Sequence, residues 1–247
     1  MGLETISEIV ARARQNAGVG TLDLHEFEAQ EVAEARHRAE VHARRVAGFH
    51  DRSGVPARFG SVAIDALSID RGNETAVHAA AKIIADGCRD SAAFFGTGVG
   101  AGKTSIAAAI INGALEQLIP AKMLTVVTLV DRMHEASKYG SAEDVTEIVQ
   151  EFASAPVLLL DDLGREPVTR RSLSWLYELL NRRWNAVLPL LITTNLSFED
   201  LLFRYVDACK RADEPQSTAE AIVDRLRGMI PLPQWYEVRG KSRRGAA

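Results

Sequence analysis

The stretch Gly96-Thr97-Gly98-Val99-Gly100-Ala101-Gly102-Lys103-Thr104 decides the fold of this 247-residue chain. It lies between an apolar run, residues 92–95, and a helix-forming run, residues 105–110. Glycines at such a junction allow a tight turn whose backbone N–H groups point inward; the lysine can reach the β- and γ-phosphates, and the threonine hydroxyl can bind Mg²⁺. The stretch therefore predicts a loop that binds a nucleoside triphosphate, formed by Gly98, Val99, Gly100, Ala101, Gly102, Lys103, Thr104 and Ser105.

One position departs from the strict pattern G-x-x-x-x-G-K-[ST], because Thr97 stands where that pattern has glycine. We expect the flanking Gly96 and Gly98 to supply the turn instead. The alternative is a flexible surface loop that contains Gly-Lys-Thr by chance. The strand and helix patterns that bracket the motif argue against it.

A second motif, residues 156–162 (Pro-Val-Leu-Leu-Leu-Asp-Asp), is a short apolar run that ends in two carboxylates. It predicts a buried parallel strand that delivers acids to its C-terminal edge, where open α/β sheets bind ligands. There Asp161 would hold Mg²⁺, and Asp162 would orient and polarise an attacking water. Alone, the segment would be an ordinary strand with an acidic turn; its place after a phosphate-binding loop favours the site.

A third motif, residues 188–195, is an apolar strand that ends in Thr193-Thr194-Asn195. Asn195 is thereby predicted at the same sheet edge, as a candidate sensor of the γ-phosphate. The alternative is a turn in which Asn195 caps the next helix. The order of the three motifs favours the sensor.

Five segments together resemble a known family: 53–59, 158–166, 176–185, 191–201 and 221–227. They are similar to the AAA+ domain of DnaC/DnaI-type replicative helicase loaders, and the related transposition ATPase IstB shares much of this pattern. The resemblance covers roughly residues 53–244. It implies a P-loop AAA+ ATPase domain with a parallel five-stranded sheet flanked by helices, and weak, Mg²⁺-dependent ATP hydrolysis.

The resemblance also assigns roles at the nucleotide site to arginines. Arg225, in the segment Asp-Arg-Leu-Arg, matches the arginine finger, which in this family enters the nucleotide site of a neighbouring subunit. Without the family, Arg225 is an exposed residue of an amphipathic helix. The final basic cluster lies where relatives place a second arginine sensor, and either Arg243 or Arg244 is the match, since the family's usual tyrosine before that arginine is missing.

Contact with single-stranded DNA is the expected role of Arg165, Arg170 and Arg171, which follow the acidic pair. Initiator and loader ATPases insert an extra helix there that lines a central channel, and arginines on it could follow the phosphates. The alternative is a solvated helix start. A net charge of −4 argues against general coating of nucleic acid, so any DNA contact should be local.

Residues 1–50 form a separate helical region, polar and with only weak apolar stripes, broken at residues 18–20 and near Gly48. Such a region cannot build its own core. In DnaC-like proteins the N-terminal region grips the hexameric replicative helicase, so we expect an arm that docks on that partner. The alternative is a helical hairpin folded against its own ATPase domain. Residues 51–61 are the predicted linker, and 62–247 the AAA+ domain.

Composition excludes several classes of protein. Two distant cysteines, Cys88 and Cys209, are compatible neither with a zinc ribbon nor with a disulfide framework. No run approaches the length of a membrane span, and Glu4 and Glu8 interrupt any secretion signal, so a cytoplasmic protein without membrane contact is expected.

Short apolar runs predict strands over 92–96, 124–128, 156–161, 188–194 and 235–239, and helices are predicted to alternate with these strands. This alternation indicates an α/β fold with a parallel sheet covered on both faces.

These observations favour an ATP-dependent loader that places a replicative helicase on single-stranded DNA and self-associates through Arg225. An IstB-like transposition helper that binds duplex DNA is the closest alternative. A helicase-inhibiting ATP-binding protein is another. A small-molecule kinase fits less well, because no arginine-rich lid is evident.

Overall fold

The computed structural model describes residues 24–98, 100–211 and 216–240. The chain divides into two compact units, Met1–Arg45 and Val46–Ala247. The helices are α1 (Leu24–Ser53), α2 (Glu74–Ala85), α3 (Lys103–Glu116), α4 (Val126–Ala136), α5 (Val145–Ala153), α6 (Arg170–Asn185), α7 (Phe198–Arg211) and α8 (Ser217–Met229). The strands are β1 (Ala92–Phe95), β2 (Ala121–Thr125), β3 (Val157–Leu163), β4 (Leu190–Thr194) and β5 (Trp235–Glu237).

The five strands form one parallel sheet in the order β2-β3-β4-β1-β5. The predicted parallel five-stranded sheet is therefore confirmed. Strand β4 lies between β1 and β3, so the loops after these three strands meet at one edge of the sheet. Parallel sheets bind ligands at the carboxyl ends of their strands, and this edge carries all three predicted motifs.

Helices cover both faces of the sheet, as the nearly continuous apolar strands require. Side chains alternate between two buried clusters: in β3, Leu158 and Leu160 belong to one, while Val157 and Leu159 belong to the other. The first cluster contains residues of α4–α8, and the second contains residues of α2 and α3. The core thus fixes on which face of the sheet each helix from α2 to α8 packs.

The second strand begins earlier than expected. It spans Ala121–Thr125 rather than 124–128, and Val126 already belongs to α4. The cause is local, because the Thr125 hydroxyl accepts the Thr128 N–H at 3.1 Å and caps the helix. The apolar run that suggested a strand is shared between the strand end and the buried face of α4.

Helix α1 continues through Gly48 to Ser53, where a break near Gly48 was expected. A single glycine costs a helix only about 1 kcal/mol, which tertiary packing can offset. Val46 is buried and Phe49 packs on the second core cluster, so this end of α1 belongs to the second unit. Of the described helices, none is both long and apolar enough to cross a lipid bilayer.

Arg183 is a fully buried cation of α6. Its Nη1 donates to the carbonyls of Phe152, Ala153 and Ala155 at 3.0, 3.2 and 2.7 Å, and Nη2 donates to the Pro189 carbonyl. Two of these carbonyls end α5, where the helix dipole favours positive charge. Burial lowers the Arg183 pKa to about 10, so the guanidinium remains charged at neutral pH. The side chain joins α5 to the starts of β3 and β4.

Candidate nucleotide-binding site

The phosphate-binding loop connects β1 to the first turn of α3. Gly102 precedes that helix at φ 104, a conformation that favours glycine, and its carbonyl accepts the Ile106 N–H at 3.0 Å. Gly96 has φ 144, and a Cβ there would lie 2.4 Å from the carbonyl oxygen of Val238. The backbone therefore requires glycine at both ends of the turn, and Gly96 supplies the turn that the strict pattern gives to the Thr97 position.

Lys103 lies inside the curve of the loop. Its Nζ donates to the carbonyls of Gly96 at 2.7 Å and Gly98 at 3.1 Å. The side chain is buried, so its charge acts within a region screened from solvent. A cation held there, beside the N-terminus of α3, forms an electropositive cradle for phosphate.

Thr104 and Asp161 provide oxygen ligands of the kind that Mg²⁺ prefers. The Thr104 hydroxyl donates to Oδ1 of Asp161 at 2.9 Å, and the Thr193 hydroxyl donates to the same oxygen. Burial raises the pKa of Asp161, against the two threonine hydrogen bonds, which lower it; repulsion by Asp162 raises it further, and the charge of Arg58 lowers it. A divalent cation would stabilise this buried carboxylate, so the residues fit the metal that the phosphate-binding loop implies.

Asp162 has a left-handed backbone with φ 57. Its N–H donates to the Thr193 hydroxyl at 2.9 Å, and the pairing of β3 with β4 is irregular between Leu160 and Leu163. Thr193 thus holds both carboxylate residues, one through its hydroxyl hydrogen and one through its oxygen. The bend turns Asp162 into the cavity while Asp161 stays buried.

A cavity of about 720 Å³ brings these groups together. One side is formed by the phosphate-binding loop and the start of α3, residues 100–106, and the floor by Asp161 and Asp162. Asn195, at the end of β4, also lines it. The remaining wall consists of Arg58, Phe59, Ala66, Leu67, Ser68, Ile69, Asp70, Asn73 and Arg165.

Not all of the predicted site residues meet in this cavity. Arg165, expected at DNA, lines the nucleotide cavity, whereas Arg170 and Arg171 begin α6 and are exposed. Arg225 lies on α8, where Nε donates to Oδ1 of Asn181 at 3.2 Å, and the described cavity wall does not include it. Val99, Arg243 and Arg244 lie outside the described residues.

The sequence did not reveal the wall formed by 58–59 and 66–73. The Phe59 side of this wall depends on a long-range contact, because Asn112 donates to the Phe59 carbonyl at 2.8 Å. The buried Asn73 fixes the other part locally, by donating to the Ser68 carbonyl at 2.9 Å and accepting the Asp70 N–H at 2.8 Å. The only sequence signal was the family resemblance of residues 53–59, which assigned no role to Arg58. Thr193 was likewise visible only as part of the strand end that precedes the predicted sensor.

A parallel sheet of this strand order, with a phosphate-binding loop after β1 and an acidic pair after β3, defines a P-loop AAA+ ATPase domain. More narrowly, the chain belongs to the family of IstB-like ATP binding proteins, whose family model matches residues 89–244. The resemblance to this family in the sequence is thereby confirmed.

Individual relatives agree with this family. The chain is 25% identical to YdaV of Escherichia coli (strain K12) over 159 residues, which are 63% of this chain and 62% of YdaV, just under two thirds of that relative's length. Its fold is similar to the crystal structure of DnaI, with TM-score 0.61, 23% identity and coverage of 77% of this chain and 94% of that one. The DnaC helicase loader gives TM-score 0.59, 19% identity, and coverage of 74% and 100%.

Proposed function

We propose that this protein is an ATPase that loads a replicative helicase onto single-stranded DNA. The observation that carries the proposal is the convergence of Lys103, Thr104, Asp161, Asp162 and Asn195 on one cavity at the carboxyl edge of the sheet. Such a cavity suits a nucleoside triphosphate with its metal ion. The likeness to loader folds supports the choice among ATPases.

Each side chain has a distinct task in hydrolysis. Lys103 and the N–H groups of residues 100–105 bind the β- and γ-phosphates. Thr104 and Asp161 hold Mg²⁺, which when bound neutralises phosphate charge. Asp162 would accept a proton from the attacking water as the water oxygen bonds to the γ-phosphorus, while the bond from that phosphorus to the β–γ bridging oxygen breaks and ADP leaves; Asn195 would donate to the γ-phosphate. Replacing Lys103 with alanine should abolish nucleotide binding; retained tight binding would contradict the site itself.

Arg225 completes the site of a neighbouring subunit in this proposal. Its place on α8, against Asn181 and 5.9 Å from the Trp184 ring centroid, holds the side chain outside the cavity of its own chain. In the proposed mechanism a second copy of the chain brings Arg225 to the phosphates. Arg225→Ala should leave ATP binding intact and lower hydrolysis at concentrations where wild type self-associates. Mixing it with Lys103→Ala should restore activity, because each inactive chain supplies what the other lacks.

Single-stranded DNA is the proposed ligand of the surface around the start of α6. Arg170 and Arg171 are exposed there, and Arg171 reaches Ser137 at 3.5 Å on the loop that carries the fully exposed Tyr139. Arginines beside an exposed aromatic ring suit a strand with unstacked bases. Arg170→Ala with Arg171→Ala should weaken binding of a labelled oligonucleotide and flatten its salt dependence, while ATP binding persists.

The helicase-binding part is proposed to be the N-terminal region 1–50, joined by residues 51–61 to the AAA+ domain 62–247. Val32 and Val41 are apolar and exposed on α1, as expected of a helix that docks on a partner. Co-purification with the replicative helicase of the host, with and without ATP, tests this. A version lacking residues 1–45 retains Val46 and Phe49 of the second core cluster, and it should lose the helicase but keep its fold.

An IstB-like transposition helper is the second candidate, favoured by the family description. Such a protein should prefer duplex DNA and bind a transposase rather than a helicase. Titrating duplex and single-stranded oligonucleotides of equal length, with ATP present, separates the two. A clear duplex preference together with no helicase binding would replace the loader by the helper.

A further inference from the structure

Arg58 is a cation on the wall of the nucleotide cavity that the proposed hydrolysis does not use. It belongs to a single 3₁₀ turn, Ala57–Phe59, well before the phosphate-binding loop in the sequence. The side chain is exposed and lies over the neighbouring Phe59 ring, 4.6 Å from its centroid. Both residues line the cavity.

The turn is fastened to the helix that follows the phosphate-binding loop. Asn112, buried on α3, donates from Nδ2 to the carbonyls of Phe59 and Val62, each at 2.8 Å. Because α3 starts at Lys103, one rigid element positions both the lysine and the turn that carries Arg58. The guanidinium is therefore presented to the cavity from a fixed base.

Arg58 lines the same cavity as Lys103, Thr104 and Asp161, the residues proposed to hold the β- and γ-phosphates and their metal ion. Among the described residues no carboxylate lies within salt-bridge distance of Arg58, so its hydrogen-bond donors are available to a ligand.

The balance of charges around the whole cavity also favours a role for Arg58. The basic residues that line the cavity are Arg58, Lys103 and Arg165, and the acidic ones are Asp70, Asp161 and Asp162. Without Arg58 the acids would outnumber the bases around a polyanionic ligand. An arginine fork can bind two phosphate oxygens at once in a fixed planar geometry, whereas a lysine acts as a compact point charge.

We infer that Arg58 binds the γ-phosphate of ATP from within the same chain and makes the site prefer ATP to ADP. The inference rests on the proposed ATP site and adds a residue that selects between its substrate and its product. It also distinguishes two arginines: Arg58 acts in cis on affinity, whereas Arg225 is proposed to act in trans on hydrolysis.

Titration of the full-length protein with fluorescent ATP and ADP analogues, in Mg²⁺, tests this. Loss of a charge-assisted contact to the γ-phosphate should weaken ATP binding by Arg58→Ala about ten- to a hundredfold, while ADP binding changes less than about threefold. Arg58→Lys should fall between, since it keeps the charge but not the fork. Arg52→Ala is the matched control: Arg52 lies 5.6 Å over the Phe49 ring but does not line the cavity, so both affinities should stay unchanged.

Asn112→Ser tests independently whether the hydrogen bonds from Asn112 hold the turn that carries Arg58 in place. It removes both hydrogen bonds to the turn, and in the folded variant ATP affinity should fall while ADP affinity is retained. Combined with Arg58→Ala it should add little, because the two residues act through one contact.

Three results would overturn the inference. Equal weakening of ATP and ADP by Arg58→Ala would mean that the arginine does not contact the γ-phosphate, and unchanged ATP affinity would mean that it contacts no phosphate. In both cases wild type still binds ATP and Lys103→Ala does not, so the proposed site stands. If wild type binds no nucleotide, or Lys103→Ala binds it equally well, the proposed function and this inference fail together.

Discussion

The phenol of Tyr205 donates a 2.6 Å hydrogen bond to Oε1 of Glu166, with both side chains buried. The other oxygen of Glu166 accepts the N–H of Gly164 at 2.8 Å, and Arg204 donates to the Glu166 carbonyl at 2.9 Å. Helix α7, which follows Asn195, is thereby joined to the loop that follows the acidic pair.

Tyr205→Phe should lower the free energy of unfolding by about 2 kcal/mol, because it leaves a buried carboxyl oxygen without its donor. Burial raises the Tyr205 pKa well above its usual range, so the phenol stays a donor at neutral pH. For a domain of this size the melting temperature should fall by about 4–8 °C. Tyr139→Phe, at a fully exposed tyrosine, should leave it unchanged; equal effects in the two variants would contradict the assigned role.

Replacing Arg183 with methionine should destabilise the fold by about 3 kcal/mol or more, since up to four main-chain carbonyls lose a buried donor. Urea unfolding at neutral pH measures the loss. Arg182→Met is the matched control one residue earlier. Arg182 pairs with Glu178 one turn away and donates to Gln150 at 2.8 Å, both on a partly exposed surface, and its loss should cost about 1 kcal/mol or less. Similar losses in the two variants would mean that the carbonyl contacts of Arg183 contribute little.

The sequence predicted the sheet and the convergence of its three motifs because both follow from local patterns. Local patterns of this kind predict the same local structure wherever they occur. Examples are an apolar run that ends in acidic residues and a glycine-rich turn before a helix. Helices α7 and α8 lie between β4 and β5, where the pattern of runs predicted helices. The strand β2 was misplaced because Met123 and Val126 are equally apolar, and only the cap at Thr125 separates strand from helix.

The residues that sequence reasoning missed depend on distant partners. Arg58 acquires its place from Asn112, more than fifty residues away, and Glu166 finds its donor Tyr205 thirty-nine residues later. Arg183 looks like any surface arginine until its carbonyl ligands assemble from three elements. These contacts arise from tertiary packing, which a single sequence does not show.

Glu151 should make stability depend on pH. It pairs with Lys122, and with Arg132 at 2.9 Å. Burial raises its pKa, but these partners outweigh burial and the net pKa lies below the usual 4.5. A carboxyl group whose pKa is lowered in the folded state stabilises the fold at a pH above about 4.5, its usual pKa. That stabilisation disappears as the pH falls through the lower pKa of the folded state.

Glu151→Gln should therefore cost about 1 kcal/mol at pH 7, and the difference from wild type should shrink as the pH falls below 4.5. Melting curves from pH 7 down to pH 3.5 measure both effects. Glu147→Gln, on an exposed position of the same helix, should cause no such change. A constant difference across this pH range would show that packing rather than the charge of Glu151 is responsible.

Asp162→Asn should separate nucleotide binding from hydrolysis. Asparagine tolerates the left-handed backbone at this position and preserves the N–H bond to Thr193, so the fold and ATP affinity should be retained. An amide cannot accept the water's proton as a carboxylate does, and hydrolysis should fall about a hundredfold or more. The matched change Asp161→Asn should instead weaken Mg²⁺-dependent ATP binding, because Oδ1 of Asp161 accepts the Thr104 hydroxyl and belongs to the proposed metal site. Unimpaired turnover by Asp162→Asn would mean that another group activates the water, and Asp162 would then serve only to shape the end of β3.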